Sequence, residues 1–401
     1  MEMLQKFLTT PADFLTTYIL PFVVVLSILV FVHEWGHYII ARLCGVKVEM
    51  FSIGFGAEIF GWTDKAGTRW KFSWVPLGGY VQMFGDTDPA SVKHRDEVEE
   101  GDRKRPFTEE EKKVAFFTQP VAKRSAIIVA GPAVNFIFAI IILTALYAIC
   151  GQPYTPPIVA KLVVGSPAEK AGILPDDKIL AMNGRLIERF QDMAQYTAIS
   201  LNKAIDITLV HSTGKDQWSD QPVIVRVTPV LVEDTDRFGF KSQRGRIGVI
   251  SPSKPFAMKQ HTPVSAFAAS FKTVWEISAD TLKAIGQILM GTRDADELGG
   301  ILRIGAYAGD FAQQGFTALV TFTALLSVNL GLINLLPIPI LDGGHLTFYA
   351  METLKGKPMS DRFQEYALRV GLATLLGIML FATWNDLVQL KVFSYLKSLI
   401  T

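Results

Sequence analysis

The chain is poor in cysteine and poor in charge. Two cysteines in 401 residues, Cys44 and Cys150, exclude a disulfide framework, and free apolar thiols are the plain reading of both. Charged residues make up only 19%, and 39 basic against 38 acidic side chains leave a net charge of +1, so nothing electrostatic favours a nucleic-acid partner. The opening MEMLQKFLTTPADFLTTYILPF has no strongly basic start and no small-residue cleavage site before its apolar stretch. The first apolar run is therefore read as a retained span, not as a removed signal peptide.

Apolar residues are what the chain has in excess: 49% of it, with a mean hydropathy of +0.29. That is more than a soluble protein of this length needs. Crossing a hydrocarbon core takes about 20 mostly apolar residues. Stretches 18–41, 125–150, 317–341 and 368–387 qualify, the last with Arg369 near one end, where it can snorkel. The expected fold is a polytopic α-helical membrane protein with four transmembrane helices.

Lys and Arg near span ends set the orientation. Arg42, Lys47, Lys112, Lys113, Lys123 and Arg124 lie between the first two spans, and Lys355, Lys357 and Arg362 between the last two. The other side carries mainly Lys6, Lys161, Arg303, Lys391 and Lys397. Segments 42–124 and 342–367 are thus expected in the cytoplasm, with both termini and 151–316 outside. The two cysteines then sit at opposite faces. Spans one and three run the same way, so HEWGH at 33–37 and LDGG at 341–344 reach one depth near the cytoplasmic face.

HEWGH has the HExxH spacing. On a helix His33 and His37 share a face and can aim at one ion, while Glu34 points beside it. A catalytic zinc takes three protein ligands and keeps a fourth position for water, so one ligand is missing. Asp342 is the best candidate: a carboxylate in a span is costly unless paired or metal-bound, and Gly343 and Gly344 allow close backbone approach. Of the rivals His345, His94, His211 and His261, only the first is near in sequence. HExxH alone recurs by chance; two histidines and a glutamate embedded in an apolar run raise its weight.

HEWGH, GPAVNFIFA, NLLPIPILDGGH and DKAGTRWKFSWVPLGGYVQMFGD together resemble the site-2 protease family in its bacterial RseP (regulator of sigma-E protease) type, over nearly the whole chain. The resemblance implies an intramembrane zinc metalloprotease of a bacterial inner membrane, with one zinc per chain held by His33, His37 and Asp342 and Glu34 as general base. It implies single-pass membrane substrates, such as anti-sigma factors or signal-peptide remnants, cut after a first external cleavage. Asn135, Asn334, Pro337, Pro339, Gly78 and Gly79 become substrate-handling candidates, with helix packing an equal reading for Asn135. The prolines at 132, 337 and 339 would break the helical ladder, which is tolerable only against protein or a watery cavity.

A helical peptide bond is shielded from attack, so a substrate must be held extended, and a strand edge does that with main-chain hydrogen bonds. Residues 46–84, rich in aromatic and β-branched side chains around the turn-like Asp64 to Gly67, read as a membrane-associated β-hairpin suited to the task; a plain packed cap is the bland alternative. Residues 151–257 read as a soluble α+β domain. Within it GSPAEKAG and DKILAMNG resemble the start of a PDZ domain, except that Asp176 stands where the motif carries glycine. PDZ folds bind peptide ends by strand addition; a non-binding spacer is the rival. Residues 263–290 form an amphipathic pattern expected to lie on the outer leaflet or to pack as an ordinary helix. DRKRPFTEEEKK at 102–113 reads as a solvated loop.

The resulting division is 1–41 with the first span and HExxH, 42–124 with the β element, 125–150, 151–257, 258–316 with the amphipathic helix, 317–345 with LDGG, 346–367, and 368–401. Two other functions compete. A PDZ-bearing scaffold with a vestigial metal site is opposed by an intact HExxH and LDG. A soluble-type zincin tethered by its first span is opposed by the apolar residues running straight into His33.

Overall fold

The computed structural model describes residues 10–85, 97–100, 103–214, 217–251, 257–390 and 392. Four helices among them are long and apolar enough to cross a membrane: Ala12–Leu43, Val121–Ile149, Phe316–Asn334 and Arg362–Gln389. This fits a polytopic membrane protein. Helix α1 (Leu20–Leu43) follows a π-helical turn at Leu15–Ile19, and α2 (Val121–Ile149) carries Pro132 in its interior.

Strands β1 (Val48–Thr63) and β2 (Arg69–Met83) form the expected hairpin, its turn closed by Asp64 Oδ1 accepting from the Ala66 and Thr68 N–H groups. Both strands fold over on themselves. Phe51 faces both Trp70 and Val81, while Trp70 also faces Trp62, so four short segments line up as 60–63, 69–72, 50–53 and 79–83. Gly54 and Gly56, at φ +88° and +90°, supply the bend in β1. Segment 79–83 is left as an edge, against α1.

A β-rich domain follows the far end of α2. It contains β3 (Lys161–Leu162), β4 (Lys178–Met182), α3 (Phe190–Ala198), β5 (Ile205–Val210), β6 (Val223–Val227), β7 (Val230–Thr235), β8 (Lys241–Arg246) and β9 (Val249–Ile250). Strands β6, β5 and β4 lie side by side, and β9 pairs with β3. In IDITLV the alternate residues Ile205, Ile207 and Leu209 are fully buried, so period-2 patterning builds this core with Ile179, Met182 and Met193. Asp176 adopts φ +67°, the left-handed conformation usual for the glycine it replaces, and its carbonyl accepts from Trp218 Nε1. In IVAKLVV, at 158–164, only Lys161–Leu162 forms a strand, with a bridge at Ile158.

Helix α4 (Pro263–Leu289) matches the amphipathic stretch closely and divides into three faces. Ala266, Ser270 and Val274 pack on α2 and on α6 (Phe316–Asn334). Glu276 and Gln287 bond Arg185 and the Ile199 carbonyl of the β-rich domain. Phe267, Phe271 and Trp275 are exposed. A second tether runs through α5 (Ile301–Gln313). There Tyr307 donates to Asp236 at 2.7 Å, Arg237 pairs with Asp310, and Arg303 lies over the Phe240 ring, fixing the tip of the β7–β8 hairpin. Burial, then the Asp236 carboxylate, hold the Tyr307 hydroxyl well above its ordinary pKa.

Two expectations are corrected. The third span does not run on to LDGG: α6 stops at Asn334, and Asp342 opens a new helix, α7 (Asp342–Lys355). Pro337 and Pro339 cannot donate to a ladder and force the break. The stretch read as a solvated loop holds regular structure from 103 on, since Arg103–Pro106 pairs with Glu97–Glu100 and Glu109–Val114 is a helix begun by a Thr108–Glu111 capping box.

Candidate metal centre

His33 and His37 lie on the buried face of α1, roughly 9–15 Å before its end at 1.5 Å per residue. Asp342 reaches them from the N-terminus of α7. Two glycine contacts let the helices close. A Cβ on Gly36 would stand 2.5 Å from the Ala130 carbonyl oxygen, and one on Gly131 would stand 2.2 Å from His37 Nε2. Only bare backbone at these points lets α1 and α2 meet with an imidazole between them. Gly343 and Gly344 likewise press on the 335–339 backbone, where a Cβ would fall 2.3 Å from a carbonyl oxygen.

The donor atoms form a small triangle. His33 Nε2 and His37 Nε2 are 3.3 Å apart, and Asp342 Oδ2 is 3.3 and 3.5 Å from them. A tetrahedral zinc with bonds of about 2.0–2.1 Å would set its ligands about 3.3 Å apart, so the triangle has the right edge. His37 Nδ1–H donates to the Ile127 carbonyl at 2.9 Å, which leaves the Nε2 lone pair facing inward. Asp342 Oδ2 is buried without a hydrogen-bond donor. Lone pairs and a carboxylate oxygen turned on one another are a destabilising set unless a cation lies among them. Among the described residues, these three form the one group of His, Cys, Asp and Glu donors close enough to hold a metal ion.

Glu34 is adjacent to the triangle and outside it. It lines a cavity of about 520 Å³ together with His33, His37, Asp342 and strand residues Gly79 to Val81. Val81, on the edge segment, lines the cavity beside it. The edge segment sits directly on α1: a Cβ on Gly79 would come within 2.7 Å of Val30 and 3.3 Å of Glu34 Cγ. At the cavity's other end Arg124 forks onto Glu352 with hydrogen bonds of 2.6 and 3.2 Å, tying α2 to the helix that bears Asp342.

The other predicted residues are dispersed. Asn334 and Gly79 line the cavity, and Gly78, Pro337 and Pro339 do not. Asn135 is fully buried, its amide 3.1 Å from His33 Nδ1. His345 lines the cavity but is not one of the three clustered donors. His211 pairs with Asp177 in the β-rich domain, and His261 contacts Gln152 at the far end of α2. His94 lies outside the described residues. Sequence reasoning missed the Ile127 carbonyl, Gly131 and the Arg124–Glu352 fork. The only local signal was the four-residue spacing of positions 127, 131 and 135 on one face of α2.

The sequence pattern of peptidase family M50 matches residues 21–378. A protein of Agrobacterium fabrum named "putative zinc metalloprotease" is 40% identical over 379 residues, covering 94% of this chain and 97% of that protein. Another protein named "putative zinc metalloprotease", from Mesorhizobium japonicum, is 41% identical over 372 residues, 92% of this chain and 98% of its own length. The metalloprotease MmpA of Caulobacter vibrioides is 37% identical over 394 residues, 94% and 97% of the two chains.

Proposed function

The chain belongs to peptidase family M50, and from that premise we propose that it is a zinc-dependent intramembrane endopeptidase. In this reading His33, His37 and Asp342 hold one zinc per chain and Glu34 is the general base. The observation that carries it is the donor triangle with edges of 3.3–3.5 Å, drawn from two distant segments, one corner of which is an unsatisfied buried carboxylate oxygen. The zinc named for two of the relatives supports the choice of metal.

His33, His37 and Asp342 would hold the zinc, which when bound would supply Lewis-acid chemistry toward a carbonyl and a water. Glu34, facing the cavity beside the ligands, takes the proton of the attacking water on its carboxylate and passes it to the leaving nitrogen. Segment 79–83 offers edge backbone to an extended substrate strand next to Glu34. Asn334 lines the same cavity and is the polar side chain assigned to bond a substrate carbonyl.

The substrates proposed are transmembrane segments of single-pass proteins already shortened by an external cut, anti-sigma factors or signal-peptide remnants among them, in the manner of the RseP type. The β-rich domain acts as a PDZ module that receives new peptide ends or excludes bulky outer domains, with Pro337 and Pro339 shaping the substrate path. The protein resides in a bacterial inner membrane, β1–β2 on the cytoplasmic side. Stripping the purified protein with a strong chelator and restoring one equivalent of zinc tests the metal's role. Cleavage of a single-pass substrate should vanish and return; cleavage that survives full removal contradicts the reading.

A further inference from the structure

Helix α2 presents three groups at four-residue intervals to the two histidines of α1. The Ile127 carbonyl accepts from His37 Nδ1–H, Gly131 leaves room for the His37 ring, and Asn135 meets His33 Nδ1 at 3.1 Å. Only the last was provisionally a substrate contact. Its side chain is fully buried and is not among the residues lining the cavity, which favours a role in the protein's own packing over contact with substrate.

We propose that Asn135 is a positioning residue, which fixes the tautomer and ring angle of His33 by accepting a hydrogen bond from its Nδ1–H. The inference rests on the metal-site reading above. With Nδ2 directed at His33, Asn135 Oδ1 is a buried oxygen with no donor. The carbonyl and amino ends of an amide exchange by a half-turn that keeps the side chain's shape. Turned so, Oδ1 accepts from Nδ1–H, the orphan is satisfied, and His33 Nε2 keeps its lone pair toward His37 and Asp342. The opposite orientation makes Nδ2 the donor, moves the ring proton to Nε2 and removes the ligand. Only the turned orientation leaves His33 Nε2 free to act as a ligand. The residue is also held in place: its own carbonyl accepts from Ser327 Oγ of α6 at 2.8 Å, and Gly331 leaves α6 close against its Cβ. Outer-shell partners of ligating histidines typically carry 10–100-fold in metal affinity.

The test is zinc affinity of the full-length protein in detergent, by competition with a chromophoric chelator, for wild type and Asn135→Asp, Asn135→Leu and Asn135→Ala. Asp keeps the acceptor and should bind within about threefold of wild type. Leu keeps the volume, Ala removes it, and both should bind roughly 10–100-fold more weakly. Leu or Ala binding zinc like wild type overturns the assignment, as does Asp falling as far as Leu. Because Ala needs no extra space, it decides the matter should Leu fail to fold. A substrate contact would instead raise KM at unchanged zinc affinity. Wild type that binds no zinc would overturn the metal-site reading, and this inference with it.

Discussion

Three of the candidate spans and the fourth are held in the protein by different means. In the most apolar stretches of the first three, 33%, 39% and 39% of residues are buried inside the protein, against 11% in Arg362–Gln389. Helices α1, α2 and α6 pack through glycine contacts and side-chain bonds around the donor triangle. Helix α8 (Asp361–Gln389) touches the bundle at few points. A Cβ on Gly371 would stand 3.1 Å from Pro339 Cβ, and the fully buried Asp386 accepts from the Gly300 and Arg303 N–H groups at the N-terminus of α5 while pairing with the Arg303 guanidinium. Hydropathy admits all four as spans, yet the metal centre depends on the packed three, and α8 depends on one buried polar node.

That contrast can be broken from either side. The largest effect belongs to Gly131→Ala, whose methyl would occupy the place of His37 Nε2. Zinc content should fall below about a tenth of an equivalent, and proteolysis should drop at least a hundredfold, a ligand being displaced outright. Asp386→Ala acts on the other side. It leaves Arg303, 8% exposed, without its carboxylate partner and uncaps α5, costing about 3–5 kcal/mol in denaturant unfolding while zinc stoichiometry stays at one. Loss of zinc in that variant would show that the two regions are not separable.

A smaller effect is expected at the hairpin tether. Tyr307→Phe removes a hydrogen bond to a carboxylate and should cost about 1.5 kcal/mol. The Tyr307 pKa is raised on folding, so its contribution is complete below the ordinary tyrosine value of about 10 and fades only as pH rises beyond it. The difference between Tyr307→Phe and wild type, measured by thermal unfolding, should therefore be flat from pH 5 to 9.

Much of this was legible in the chain itself. The four spans, the hairpin with its turn at Asp64, the amphipathic helix from Pro263 and the meeting of HEWGH with LDGG all follow from periodicity, breakers and span direction. The break after Asn334 was written in Pro337 and Pro339, though hydropathy ran through it. What could not be read are pairings that only the assembled fold creates: Asn135 with His33, 102 positions apart, Asp386 with Arg303, 83 apart, and Arg124 with Glu352, 228 apart. No local pattern marks such partners, because a buried polar residue in an apolar helix names its need for a partner without naming the partner. The β7–β8 hairpin escaped for a related reason. Its half-exposed strands carry charges and little alternation, and its docking is settled by Asp236 and Arg237 meeting α5.

The most direct test of the account is Glu34→Gln, with zinc content and cleavage of a single-pass substrate lacking its outer domain measured on the same purified samples as wild type. The account predicts one zinc in both proteins and cleavage by wild type alone. Undiminished cleavage by the variant, or zinc lost from it along with activity, would contradict the assignment of Glu34 as a base that stands beside the metal without holding it.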